Sequence, residues 1–309
     1  MESNYKLFYA IINQNLFEID DALNKGVDIN YLNLIDLEIN KNQIEKSNSA
    51  FHLACFLGNQ SIINKLLNYI CLIDINLKNN NGYNAIHYAT FKGHYELVEY
   101  LISLNCNLHD TNINGDNALH IAAKFNSVTV ANILLNYKID INARNKKGET
   151  ALYIATENNN RYVTELLLNN NADVNIKCKY NISPLHNACE NGCLFTVETL
   201  LNKKAEINCI DVFNYYPIQN AINNGPERLR EAHIDIVRLL LLKGSNIRLE
   251  NINNIKNNYI IDIINKWPTT MVIILLQELS LYNKIDDLSI YKDLYEYSII
   301  IPFLIYNSL

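Results

Sequence analysis

Four histidines recur in one phase of the sequence: His52, His87, His120 and His186. Imidazoles are the commonest general bases and metal ligands, so their placement decides whether this chain has chemistry to offer. Each stands at the start of a short apolar segment, and each segment holds one. That spreads the four rings along the chain, one per unit, which argues for a repeated structural role and against a metal cluster or a shared base. His94 follows a predicted helix stop and is placed to serve the start of the next helix. Seven cysteines are present and no two form a C-x-x-C pair. Cys55 and Cys189 occupy a position held elsewhere by Thr90, Ala123 and Thr156, so they read as small buried apolar residues. The carboxylate pairs Asp20-Asp21 and Asp286-Asp287 are adjacent, and adjacent side chains on a helix diverge. No Gly-rich phosphate loop, H-E-x-x-H or nucleophile elbow is found. The expectation is a protein that is not an enzyme and needs no cofactor or metal.

The elements that carry these residues are clearest in residues 79–109. Gly82 suits a turn position with positive φ. Asn84 can cap the helix that follows. Residues 85–91 make about two helical turns, and Gly93 fits a left-handed C-terminal cap. From Tyr95 to Leu104 a second helix sets Leu97, Val98, Leu101 and Ile102 on one face. So small a helical hairpin needs a neighbour on each side to bury its apolar surface.

The sequence supplies those neighbours. Asn84-Ala85-Ile86-His87 returns as Asn117-Ala118-Leu119-His120, Thr150-Ala151-Leu152-Tyr153, Ser183-Pro184-Leu185-His186 and Tyr216-Pro217-Ile218-Gln219, each step 33 residues long. Ser49-Ala50-Phe51-His52 precedes them by 35. The turn column reads Gly82, Gly115, Gly148, Asn181, Asn214, and the helix-stop column reads Gly58, Gly93, Asn126, Asn159, Gly192, Gly225. Every member is Gly or Asn, the residues that most readily enter the left-handed region. A fixed period in this range marks a stacked-repeat architecture.

The unit resembles the ankyrin repeat, G-x-T-P-L-H-x-A-A-x-x-G followed by a second helix and G-A-D-V-N. The residues that carry the resemblance are Gly148-Glu149-Thr150-Ala151-Leu152-Tyr153, Ser183-Pro184-Leu185-His186-Asn187-Ala188, and loop ends such as Ala172-Asp173-Val174-Asn175. It covers residues 5–248. Proline is missing from most helix starts, and Gln219 replaces the usual histidine. The resemblance implies an all-α solenoid of helix-turn-helix units with short β-hairpin-like turns. It also implies that the histidines make structural hydrogen bonds and that a protein partner binds in a concave groove. Carried over by position, the groove residues are Phe56, Leu57, Tyr83, Phe91, Lys92, Ile113, Lys124, Phe125, Glu157, Lys179 and Tyr180. The N-terminal half of this surface is aromatic and the C-terminal half is polar and mixed in charge. Exposed aromatic residues ringed by polar ones are the composition of an interface centre, with Phe91 and Phe125 as anchors. The expected occupant is a partner's helix, loop or extended segment.

Three regions are anticipated: residues 1–48, an N-terminal capping repeat with a long connection; 49–248, the repeats; and 249–309, a C-terminal helical cap or docking segment. From Asn30 to Ser49 is 19 residues where Asn142 to Thr150 is 8, so the first connection is eleven longer. It is either a tolerated insertion or a functional loop. Its Leu32, Leu34, Leu37 and Ile39 give it the means to pack on the stack. About seven extra residues, 225–231, separate the last two repeat helices, as a recognition loop or as a longer helix start. Residues 249–309 lose the period. An alternative to a simple cap is a ubiquitin-ligase docking segment, which would make the chain a substrate adaptor, although Leu281 is not followed by the cysteine such a box expects.

The net charge of −6 leaves no basic face of the kind a nucleic-acid binder needs. No apolar run approaches the roughly 20 residues that span a bilayer, and residues 1–20 do not read as a secretory signal. The expectation is a monomeric, cytoplasmic protein, with entry to the nucleus left open, that binds no nucleic acid and does not span a membrane.

Overall fold

In the computed structural model, residues 2–33, 37–39, 42–44, 47–223 and 231–245 are described. The expectations for residues 225–230 and 249–309 lie outside them. The helices come in pairs: α1 (Glu2–Ile12) with α2 (Leu16–Asn24), α3 (Ala50–Leu57) with α4 (Gln60–Leu67), α5 (Ala85–Lys92) with α6 (Tyr95–Ser103), and α7 (Ala118–Lys124) with α8 (Val128–Asn136). Then follow α9 (Ala151–Glu157) with α10 (Arg161–Asn169), α11 (Pro184–Glu190) with α12 (Leu194–Asn202), and α13 (Pro217–Asn223) with α14 (Glu231–Leu242). This is an all-α repeat solenoid, as the sequence periodicity implies.

The described residues among 1–184 and 202–205 form one compact unit, and those among 185–201 and 206–309 a second. In the first unit the leading helices stack in one row, α1 on α3, α3 on α5, α5 on α7 and α7 on α9. The second helices make a parallel row, with α2 on α4, α6 on α8 and α8 on α10. The core between the rows contains Leu7, Leu53, Ile86, Leu119 and Leu152 from the first row, and Ile62, Leu101, Leu134 and Leu167 from the second. Burying a side chain of this size stabilises by about 1.5–3 kcal/mol. In the second unit α13 packs on α14, with Ile218, Ile236 and Leu240 buried.

Among the described residues the two Gly/Asn columns are left-handed: φ is +76° at Gly82 and +56° at Asn181 in the turns, and +73° at Gly93 and +55° at Asn126 in the helix stops. A third left-handed column follows the second helices at Gly26, Asn105, Lys138, Asn171, Lys204 and Gly244, and of these only the two lysines carry no sign in residue type. The loop ends gain meaning as cross-links. Asn107 N–H donates to Asn76 Oδ1 at 2.8 Å and Asp173 N–H to Asn142 Oδ1 at 2.9 Å, each joining one repeat to the next.

Each turn projects as a finger closed by one backbone bond across four residues. Asn79 N–H donates to Tyr83 O at 2.9 Å, and Asn112 and Asn145 do the same to Asp116 and Glu149 at 3.0 Å. In the first connection Asn33 N–H donates to Asn48 O at 3.0 Å, a span of fifteen residues. The difference is the eleven inserted residues. Asn33 therefore takes the role of Asn79, and the insertion extends the finger at its tip. There β1 (Leu37–Ile39) pairs antiparallel with β2 (Asn42–Ile44), Glu38 opposite Gln43. These are the strands present among the described residues. Leu32 is half-buried, while the side chains of Leu34, Leu37 and Ile39 lie outside the described residues.

Candidate functional site

The repeated histidines are built into the helix starts. His87 Nδ1 accepts from Asn84 N–H at 3.1 Å while Asn84 Oδ1 accepts from His87 N–H, a reciprocal capping box. The other ring nitrogen, Nε2–H, donates to Asp110 O at 3.2 Å. His52 and His120 repeat the arrangement, with Nε2–H on Leu77 O at 2.8 Å and on Glu149 O at 3.1 Å. With both ring nitrogens engaged and the rings buried, desolvation holds His52 and His87 down at about 4 and lowers His120 likewise. Neutral, buried and saturated imidazoles are poor catalysts and poor ligands. His94 departs from the expectation. It stands at the N-cap of α6 without capping it. Its Nε2–H instead donates backwards to Phe56 O at 3.3 Å, and its ring lies where a Cβ on Gly58 would fall. Ser127 and Asn160 reach back in the same way, to Thr90 O and Ala123 O. These donors satisfy carbonyls that the end of the preceding helix leaves open. Cys55 and Cys189 are fully buried, and burial raises both thiols well above their ordinary range.

The ends of α3, α5 and α7 bring aromatic rings from three successive repeats together. Phe56 and Phe91 are stacked with centroids 6.1 Å apart, and Phe91 meets Phe125 edge-on at 4.4 Å. Tyr88 lies behind them, 6.1 Å from Phe56 and 5.8 Å from Tyr83. Its hydroxyl accepts from Asn79 Nδ2 at 3.0 Å, and the same amide donates to Asn48 Oδ1, so the base of the extended finger and the ring cluster share one residue. Phe91 and Phe125 remain 37% and 44% exposed, too much for core residues and too little for free ones.

Around these rings opens a cavity of about 360 Å³. Of the residues expected in the groove, Phe56, Tyr83, Phe91, Ile113, Lys124 and Phe125 line it. Lys92 stands over its edge, with Nζ 4.1 Å from the Phe56 centroid. Leu57 is half-buried at the end of α3 and outside the lining, and Glu157, Lys179 and Tyr180 are exposed beyond it. The sequence reading missed Tyr88, Ile121 and Ile154, which follow the repeat histidine position in three successive units and form the inner wall. The signal was available: Tyr88 is three residues before Phe91 and Ile121 three before Lys124, so each pair shares a helix face.

Comparison with known proteins bears on the repeat region. A family model described as ankyrin repeats matches three times, over residues 7–112, 103–178 and 163–251. No curated protein matches. Among solved structures the chain is similar to the crystal structure of the ankyrin repeat domain of Bcl-3, described as a member of the IkappaB protein family. The identity is 25%, the match covers 64% of this chain and 87% of that one, and the TM-score is 0.56. Among the described residues no helix is long and apolar enough to cross a membrane, and no cluster of three or more metal-ligating side chains occurs. The repeat period, the cap chemistry and three matches that together run from residue 7 to residue 251 agree: this chain belongs to the ankyrin-repeat family, whose repeats serve in general as protein-interaction modules.

Proposed function

We propose that this protein is a non-enzymatic interaction module that holds a partner's helix, loop or extended segment against the aromatic cavity of its first unit. Phe91 and Phe125 are the anchors, with Phe56, Tyr83, Tyr88 and Ile113 around them. The reading rests on one observation: rings from three successive repeats gather at an open cavity, where they stay partly exposed. Partly exposed aromatic clusters with polar surroundings are where interfaces concentrate their binding energy.

The rings also support one another. Phe91 touches both Phe56 and Phe125, and aromatic pairs are worth about 0.5–1.5 kcal/mol each, so Phe91→Ala costs about 1–3 kcal/mol of fold stability. Phe125 is the better probe. Phe125→Gln gives up one ring pair, costs about 1 kcal/mol of stability, and weakens the partner about thirtyfold or more if Phe125 is an anchor. Unchanged affinity in a folded Phe125→Gln protein, measured by titration calorimetry with the captured partner, would falsify the reading.

The seven cysteines are unpaired and five of them are buried, which suits a reducing, cytoplasmic setting for a monomer. The adaptor alternative, docking to a ubiquitin ligase through residues 249–309, concerns residues outside those described and draws no support from the first unit.

A further inference from the structure

The protein is acidic overall, with a formal charge of −6, yet the rim of the aromatic cavity is basic. Lys92 Nζ stands 4.1 Å from the Phe56 centroid and 5.3 Å from that of Phe91, and Lys124 Nζ stands 5.7 Å from Phe125. Among the described residues neither ammonium has a carboxylate partner. Two carboxylates on this side, Asp116 and Glu149, are already engaged. Asp116 accepts from Asn112 Nδ2 at 3.2 Å and Asn145 Nδ2 at 2.8 Å. Glu149 accepts from Asn145 Nδ2 at 2.8 Å and lies 4.0 Å from Lys147. The neighbouring finger tips add exposed Lys146, Lys147 and Lys179. Those tips form one edge with the cavity, since Ile113 N–H donates to Asn81 O, Lys146 N–H to Asn114 O and Lys179 N–H to Lys147 O. At the finger tips the cations therefore face outward while Asp116 and Glu149 are taken up in internal bonds; Glu157, at the end of α9, is exposed outside the cavity lining.

An ammonium over a ring face has the ring on one side and its remaining N–H donors on the other. A purely apolar ligand seated on these rings would strip water from Lys92 and Lys124 and give them nothing in return, which is costly. Carboxylates beside the apolar anchor would answer both. Nucleic acid fits less well. A polyanion meets a protein of net negative charge, and Phe91 and Phe125 stand at 73° to each other and do not offer parallel platforms for successive bases.

Resting on the groove reading above, we infer that the partner segment carries a large apolar side chain flanked by aspartate or glutamate, the anchor seated among Phe56, Phe91 and Phe125 and the carboxylates on Lys92 and Lys124. The test is selection of displayed random peptides on the full-length protein, on Phe125→Gln, and on the doubly charge-reversed Lys92→Glu/Lys124→Glu protein, with a poly(U) strand as a separate probe. The wild type is expected to enrich peptides with an apolar centre and acidic flanks. Charge reversal should weaken the best of these about tenfold or more and shift the enriched flanks to Lys and Arg. Enriched peptides with no acidic bias that still depend on Phe125 overturn the charge assignment and leave the groove reading standing. Peptides indifferent to Phe125→Gln overturn the groove reading itself. Poly(U) binding that disappears on charge reversal assigns the lysines to nucleic acid and overturns the inference.

Discussion

Acid attacks this fold through its buried histidines, and His87 lets the effect be sized. The ring is fully buried, with Nδ1 accepting from Asn84 N–H and Nε2–H donating to Asp110 O. Protonating Nδ1 would set two donors against each other. Desolvation is the main cause that lowers the ring from 6.5 to about 4; the backbone bond to Asp110 and the Asp110 charge oppose it only in part. The folded value lies below the unfolded one, so between pH 4 and 6.5 the unfolded chain binds more protons and stability rises with pH. The contribution is whole above about pH 6.5 and is lost as pH falls towards 4. With those two values, the loss at pH 5 is RT ln[(1 + 10^1.5)/(1 + 10^−1)], about 2 kcal/mol, of about 3.4 kcal/mol below both. His52, also held at about 4, adds a similar amount. His87→Gln removes the titrating group while keeping an acceptor for the cap. Gln219 already serves this way, its Oε1 accepting from Tyr216 N–H at 2.7 Å. Urea unfolding followed by far-UV circular dichroism at about pH 7.5 and about pH 5 gives the pH-dependent part for each protein. The substitution should shrink the wild-type difference by about 2 kcal/mol. Equal differences in the two proteins would refute the assignment of the acid sensitivity to the histidine caps.

Two further substitutions probe the scaffold. Asn145 Oδ1 accepts from Lys147 and Glu149 N–H while its Nδ2 donates to Asp116 and Glu149, so Asn145→Ala breaks four bonds to part-buried groups and should cost about 2–4 kcal/mol in urea unfolding. A cost under about 0.5 kcal/mol would show that the bonds between fingers are dispensable. Lys138 is exposed and left-handed, at φ +59°, where a β-carbon is penalised. Lys138→Gly should therefore stabilise by about 0.5–1 kcal/mol, visible as a higher urea midpoint, and a lower midpoint would contradict the strain argument.

Much of the scaffold was legible because left-handed positions admit few residue types. Gly82, Asn84, His87 and Gly93 each announce a turn, a cap or a stop, and the period of 33 confirms them as a set. Legibility failed where geometry is set by neighbours. Lys138 and Lys204 are left-handed without a residue type that says so. His94 was read by its sequence neighbour, α6, although its ring reaches back to Phe56 in the preceding repeat. The long first connection was measurable as eleven residues, but its place at a finger tip needed the bond from Asn33 to Asn48. At the cavity, Phe91 and Phe125 were found from their place at the helix ends. That Phe91 meets Phe125 diagonally, one position out of phase, and that Lys92 covers Phe56 in the same diagonal sense, follows from how adjacent helices are offset. Tyr88 was hidden by the attention that its neighbour His87 draws.

The central claim is that the partner sits on the ring cluster of the first unit. Photo-crosslinking tests it most directly, with a benzophenone amino acid placed at Phe125 in one protein and at Tyr162, exposed on α10, in another. The account predicts that the partner is crosslinked from position 125 and not from position 162. Crosslinking from 162 with none from 125 would contradict it.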